Sequence, residues 1–219
     1  MTSIGEEPLT DLELDALTEL VNLGVSRAAT SLRKLVDDEV LLSVPSVGVV
    51  TRQQAAQIIE EREPSQLIGV HQAFDGDISG RAMLIFPEAN SLELVRVMAG
   101  SELPLDDVID LEQEALAETG NIILNACLAT IANILHRHLK VSLPEILRGT
   151  GTDFFGQAND ANSGDAVLFL YINFSVKQRN IRGYIALLMD IQALASLKTL
   201  LNEMIIRTGG ESQTIHGAP

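Results

Sequence analysis

The chain has 219 residues, 46% of them apolar, enough for one sizeable core or two small ones. A net charge of −15 and a pI near 4.5 exclude nucleic acid and anionic lipid as docking partners, since both need a basic face. Tryptophan is absent and aromatics are 4%, which removes base-stacking platforms, and a lone cysteine, Cys127, excludes an intrachain disulfide.

The first residues, MTSIGEEPLTDLELD, have no basic start and no apolar run, so they are not read as a signal peptide. No stretch reaches the about 18 uncharged apolar residues of a membrane span, and the expected location is the cytoplasm. Thr10 with Glu13 forms a capping box, so a helix is predicted over 11–37, with Leu14, Leu17, Val21, Val25, Ala28, Leu32 and Leu35 as its apolar stripe. Residues 40–50 are β-branched and read as a strand. Pro45 inside it belongs at a strand start, an edge or a bulge, because proline cannot donate to a ladder. A short helix is predicted over 51–62, then strands over 67–74 and 78–86 joined through the hairpin signal Asp75-Gly76, then a helix over 88–99. Residues 100–104 make a break.

The second half repeats this order. A long helix is predicted over 106–139 and a strand over 147–155, followed by a polar loop over 157–165 where the first half has its short helix. Strands over 167–176 and 181–189 and a helix over 191–206 follow. Residues 207–219 are expected to be a disordered tail. Cys127 lies in the apolar run NACLATIANIL and is expected to be a buried, inert thiol. The expected fold is α+β. Residues 1–219 form one domain of two helix–strand–hairpin–helix units, 11–100 and 105–206, and three strands apiece are too few for independence, so the units share one core. The two long helices are expected side by side and exposed.

Those two helices carry one spaced pattern twice. Asp15, Glu19, Asn22 and Pro45 recur 99 residues later as Glu114, Glu118, Asn121 and Pro144. Steps of four and three at about 100° per residue hold three polar side chains within roughly 40° of each other, on one helix stripe. A single such stripe is an ordinary solvated face. A second copy at one fixed offset, distant proline included, points to a duplicated site.

The pattern [Asp/Ser]-x3-Glu-x2-Asn-x22-Pro resembles the signature of the CheC/CheX/FliY phosphatases of bacterial and archaeal chemotaxis. The first copy fits throughout; the second departs at Glu114, which replaces Asp or Ser and lengthens the arm by one methylene. The two-copy layout resembles CheC rather than CheX, and the length leaves no room for the extra domain of FliY. The resemblance implies a pseudo-two-fold arrangement and, as substrate, the aspartyl phosphate of a CheY-type response regulator. It gives Asn22 and Asn121 the positioning of the attacking water, and Glu19 and Glu118 an ion pair with the regulator's lysine. It puts Asp15 and Glu114 at a docking rim, with Ser26 and Asn125 further along the same stripe. Pro45 and Pro144 fix the chain's path. No cofactor of the chain's own is expected; Mg²⁺ comes with the regulator. The deamidase CheD is an implied second partner. The rival reading is a non-catalytic interaction protein, since FliM-like flagellar switch components resemble this family in fold and bind the regulator without the catalytic pair.

Other constellations carry less. His136 and His138 stand two apart, which points them to different sides of a helix and makes no zinc pair. Gly76, Gly80 and Gly100 belong to turns and strand junctions rather than to a phosphate loop.

Overall fold

The computed structural model describes residues 9–36, 39–99, 105–156, 166–176 and 179–214. In chain order the elements are α1 (Asp11–Val36), β1 (Val40–Thr51), α2 (Arg52–Arg62), β2 (Leu67–Gly76), β3 (Gly80–Pro87), α3 (Glu88–Ala99), α4 (Leu105–Ile134), β4 (Leu139–Val141), β5 (Glu145–Gly149), α5 (Gly151–Phe155), β6 (Ala166–Val176), β7 (Arg179–Met189) and α6 (Ile191–Thr214). The strands make one seven-stranded sheet in the order β1-β6-β7-β3-β2, with β4 and β5 both on the outer side of β2. Every pairing is antiparallel.

The fold is mixed α/β in three layers. Successive residues of a strand point to opposite faces. Ile68, Val70, Leu84, Leu168, Leu170 and Ile185 therefore face a large core with α1, α3, α4 and α6, while Leu67, Met83, Ile85, Phe169 and Tyr184 face a smaller one with α2 and α5. Burial on both faces explains why the middle strands read as continuous apolar runs rather than as alternations. Helix α1 buries Leu17, Val21, Val25, Ala28 and Leu32, as its periodicity predicts, and packs on β1 and α4. Residues 111–134 of α4 are long and apolar enough to cross a membrane by composition alone. Their apolar side, including Leu116, Ile123, Leu124 and Leu128, is spent on the large core instead.

Three predicted elements differ from the structure. The strand predicted over 147–155 is β5 followed by α5. The Thr150 hydroxyl accepts from Asp153 N, and the Asp153 carboxylate accepts from Thr150 N at 2.7 Å, a capping box that starts a helix there. Hydrogen bonds donated by the backbone N–H and the hydroxyl of Thr150 hold the Asp153 carboxyl below its ordinary range. A strand would also send Phe154 and Phe155 to opposite faces, whereas α5 buries both in the smaller core. The long helix ends at Ile134, short of 139: His136 turns with φ 54° and Arg137 N donates to Ala132 O, a left-handed C-cap that redirects the chain into β4. Helix α6 runs to Thr214, past the predicted end at 206 and into the segment expected to be a disordered tail. The two glycines there lower helix propensity by roughly 1 kcal/mol each without forbidding the helix, and Arg207 anchors it by donating to Ile134 O at 3.0 Å. The expected break at 100–104, the loop at 157–165 and residues 215–219 lie outside the described residues.

Close approach requires glycine at two positions that shape the frame of the fold around the long helices. A Cβ at Gly76 would stand 2.1 Å from His138 O, where β2 meets the turn into β4. A Cβ at Gly24 would stand 2.7 Å from Cys127 Cα, so this glycine sets the spacing of α1 and α4. Because the obstacle is backbone, no rotamer can relieve it. Gly24→Ala is expected to force the helices apart and to cost roughly 1–3 kcal/mol, the usual penalty of overpacking, read as a lower urea midpoint; an unchanged midpoint would mean that the interhelical spacing is soft.

Candidate active site

The two stripes emerge on the outer sides of α1 and α4. Asp15 and Glu19 on α1 and Glu114 and Glu118 on α4 are exposed, while Asn22 and Asn121 are half-buried at the base of their stripes. Each helix is tied down by an inward carboxylate two residues before its stripe, in the first turn of α1 and in the third turn of α4. Glu13 accepts from Thr10 N at 2.7 Å and from Asn202 Nδ2 at 2.5 Å, and Glu112 accepts from Ser91 Oγ at 2.7 Å and from Arg148 Nη2. Both are buried. Their partners lie far away in sequence, so this anchoring has no local sequence signal beyond the capping box at Thr10.

The prolines act through the sheet edges. In β1, Ser43 pairs with Asn173 and Ser46 with Tyr171, so Val44 and Pro45 together oppose Ile172 alone. This is a β-bulge, one of the three placements that Pro45 allows. On the other edge Ser142 N donates to Ala73 O and Glu145 pairs with His71, so Leu143 and Pro144 together oppose Gln72. A bulge leaves backbone groups outside the ladder, and a buried orphan group is costly.

Asparagine meets the two bulges differently. Asn22 closes the first by a two-point clamp: its Nδ2 donates to Val44 O at 3.2 Å and its Oδ1 accepts from Val44 N at 3.0 Å. An amide has two donor hydrogens and two acceptor lone pairs. Asn22 thus keeps one of each for a ligand. Asn121 does not touch the backbone of the second bulge. Its Oδ1 accepts from Gln72 Nε2 at 3.3 Å and from Asn125 Nδ2 at 2.6 Å, which uses both lone pairs, and its NH₂ makes no hydrogen bond to any described residue. Asn125, expected as a rim residue, is therefore part of the site. Gln72 also donates to Ser142 O at 2.9 Å. The bulge residues differ accordingly: Val44 is 2% exposed and Leu143 is 84% exposed.

Elsewhere the structure offers little chemistry. The Cys127 thiol is fully buried and its pKa is pushed up to about 12 by desolvation, far from a thiolate. Among the described residues no three His, Cys, Asp or Glu side chains converge on a metal position.

Comparison with known proteins places this geometry. A model of the CheC-like family matches residues 12–49, which hold the first stripe and its proline, and a model described as chemotaxis phosphatase CheX matches residues 68–162, which hold the second. The chain thus resembles the CheC-like family over its first stripe and CheX over its second. It is 21% identical over 185 residues to the CheC1 protein of Halobacterium salinarum, spanning 84% of this chain and 93% of that one. It is 24% identical over 149 residues to the CheY-P phosphatase CheC of Bacillus subtilis, spanning 66% and 68%. The crystal structure of Thermotoga maritima FliY superposes with a TM-score of 0.69 at 15% identity, covering 90% of this chain and 98% of that one, which gives the chain the same fold.

The clamp predicts an asymmetry in stability. Asn22→Ala strips Val44 of both partners in a buried place and is expected to cost roughly 1–3 kcal/mol, the penalty of unsatisfied buried groups. Asn121→Ala leaves Gln72 still bonded to Ser142 and is expected to cost less. Urea unfolding of the two single variants compares them; equal losses would contradict the clamp.

Proposed function

We propose that the chain is a phosphatase that hydrolyses the aspartyl phosphate of a CheY-type response regulator in chemotaxis signalling, with one site on each stripe. The observation that carries this reading is the doubled Glu–Asn pair, presented outward with unspent amide groups in a chain whose relative is a CheY-P phosphatase. An aspartyl phosphate is a mixed anhydride. Water attacks phosphorus in line, the bond from phosphorus to the aspartyl oxygen breaks, the carboxylate leaves, and phosphate and a proton pass to solvent. Such transfers need positioning and charge stabilisation rather than covalent help.

The receiver brings Mg²⁺ and a lysine to the phosphoryl charge, and the chain brings the positioning. Glu19 and Glu118 meet that lysine, with Asp15 and Glu114 at the docking rim. Asn22, clamped in plane on Val44, has a lone pair for the water and an N–H for a phosphoryl oxygen. Asn121 has two N–H groups, one for the phosphoryl oxygen and one for a lone pair of the water, whose other lone pair attacks. An aspartate at either place would repel the phosphoryl group. The reaction takes place in the cytoplasm, and CheD is a second partner on the family likeness, testable by co-purification with the chain.

The same reading makes the chain a duplication of units 11–100 and 105–206 about a pseudo-two-fold axis. Exchanging β1, β2 and β3 with β5, β6 and β7 turns the strand order into itself read backwards, which supports it. So do the caps Thr51 and Thr150 of the minor-face helices, again 99 apart. In a crystal structure the units should superpose with Glu19 over Glu118 and Asn22 over Asn121; a register offset between the motif helices would count against duplication.

The activity is tested on a phosphorylated receiver in Mg²⁺. Asn22→Ala with Asn121→Ala is expected to slow stimulated phosphate release by roughly 10²–10³-fold, the loss seen when a preorganised polar contact to a transition state is removed, with circular dichroism unchanged and binding of a stable phospho-mimic largely kept. Glu19→Lys with Glu118→Lys should instead lose binding, because like charges brought together at an interface cost on the order of several kcal/mol. Purified chain that leaves the lifetime of the phospho-receiver unchanged would replace the enzyme by a flagellar-switch-like binding protein.

A further inference from the structure

The geometry points to Gln72 as a positioning residue of the second site, one that dictates which end of the Asn121 amide meets substrate. This rests on the phosphatase reading and adds a residue outside the repeated pattern. Gln72 lies on β2, 1% exposed, on the sheet face beneath α4. Its Nε2 donates one hydrogen to the Ser142 carbonyl and the other to Asn121 Oδ1. The carbonyl of Ser142 can only accept, so it fixes the orientation of Gln72. Gln72 can then only donate toward Asn121, so it fixes the carbonyl of Asn121 inward, and Asn125 Nδ2 supports the same orientation from the next turn. A flipped Asn121 would set its NH₂ against two donor groups. The result is a one-way chain of hydrogen bonds that ends with the Asn121 NH₂ facing away from it.

The position is not required by the fold. Gln72 opposes the bulge at Leu143–Pro144, and the residue that opposes the bulge at Val44–Pro45 is Ile172, apolar and 1% exposed. The sheet accepts an isoleucine there without difficulty. The glutamine brings an added burden, since its Oε1 is buried without a hydrogen-bond partner. A buried, half-satisfied amide where an aliphatic side chain would pack marks a site where stability is given up for orientation. At the first site Val44's backbone orients Asn22. At the second, where Leu143 swings out, Gln72 takes over that duty and converts the asparagine from a mixed donor and acceptor into a pure donor.

The test uses the full chain with Glu19→Lys to silence the first site, and a CheY-type receiver from the same genome phosphorylated with phosphoramidate. Rates over a range of phospho-receiver separate kcat from KM. Gln72→Met keeps length and volume but cannot donate. It is expected to lower kcat on the order of ten- to a hundredfold, as when an oriented group loses its outer support, with KM unchanged. In an Asn121→Ala background the same substitution should cost nothing more, because the group that it orients is already gone. Asn125→Ala, on the helix surface, should lower kcat in the same sense and serves if Gln72→Met does not fold. Full kcat in both variants, a rise in KM alone, or an equal further loss in the Asn121→Ala background would overturn the inference. A Glu19→Lys chain that is silent beside an active wild-type chain would also overturn the inference, whereas a wild-type chain with no activity on any receiver would overturn the phosphatase reading itself.

Discussion

Each site depends on a proline that cannot donate. Pro45 within β1 and Pro144 between β4 and β5 break the ladder where they stand, and the chain answers with a bulge. The bulge leaves backbone groups looking for partners beside a long helix, and the asparagine of that helix is the nearest amide. The spacing of 23 residues between asparagine and proline is then a physical length: the rest of the helix, a turn, and the first stretch of edge strand. In the first copy the amide closes on the bulge directly. The helix stripe is thereby fixed to the sheet edge, and the exposed carboxylates one and two turns back inherit that registration. Gly24 adds the second constraint by bringing α1 against Cys127 of α4, so the two stripes are held on one rigid platform.

Much of this was legible because it is periodic. The stripe of α1, the hairpin of β2 and β3 and the bounds of α3 follow from side-chain periodicity acting over a few residues, although Asp75 and Gly76 end β2 and pair with β4 rather than forming the turn itself. The missing N–H of Pro45 limited it to a strand start, an edge or a bulge, and the structure takes the bulge. What was misread is equally local. The run 147–155 reads as a strand, but the capping pair Thr150 and Asp153 decides the structure. The end of α4 turns on His136 in the left-handed region, which is uncommon for any residue but glycine although histidine enters it more readily than most. Its geometry is imposed by the need to bring residues 139–141 onto β2.

The site's supporting residues were illegible for a different reason. Glu13 and Glu112 look like members of acidic helix starts, yet both are buried against distant partners, Asn202 and Arg148. Burial by itself would raise the pKa of Glu13; hydrogen bonds from Thr10 and Asn202, with the charge of Lys198, outweigh it and leave the carboxyl below its ordinary value of 4.5. A carboxyl lowered in this way contributes stability above the unfolded value and loses it as pH falls through the folded one. The first turn of the α1 stripe is therefore secured at neutral pH by an ionised group that composition counts as surface charge. Gln72 is harder still. It stands 49 residues from Asn121, on a strand where a polar residue at alternate positions signals solvent rather than core.

The two copies thus share a pattern without sharing a hydrogen-bonded state. Both have a glutamate one turn before an asparagine, and both have the proline, but the amide's free capacity differs because the residue opposite the bulge is Ile172 in one and Gln72 in the other. An amide is ambiguous by design: the same side chain can steer a water by accepting from it or brace a phosphoryl oxygen by donating to it. Which of these it does is set by the lone pairs and hydrogens already used inside the protein. In Asn22 the backbone of Val44 uses one of each and leaves the choice open. In Asn121 a side-chain relay uses both lone pairs and removes it. The repeated pattern supplies two asparagines, and a single inward difference opposite the bulge, Ile172 against Gln72, leaves their amides with different free groups while each keeps an exposed glutamate one turn before it.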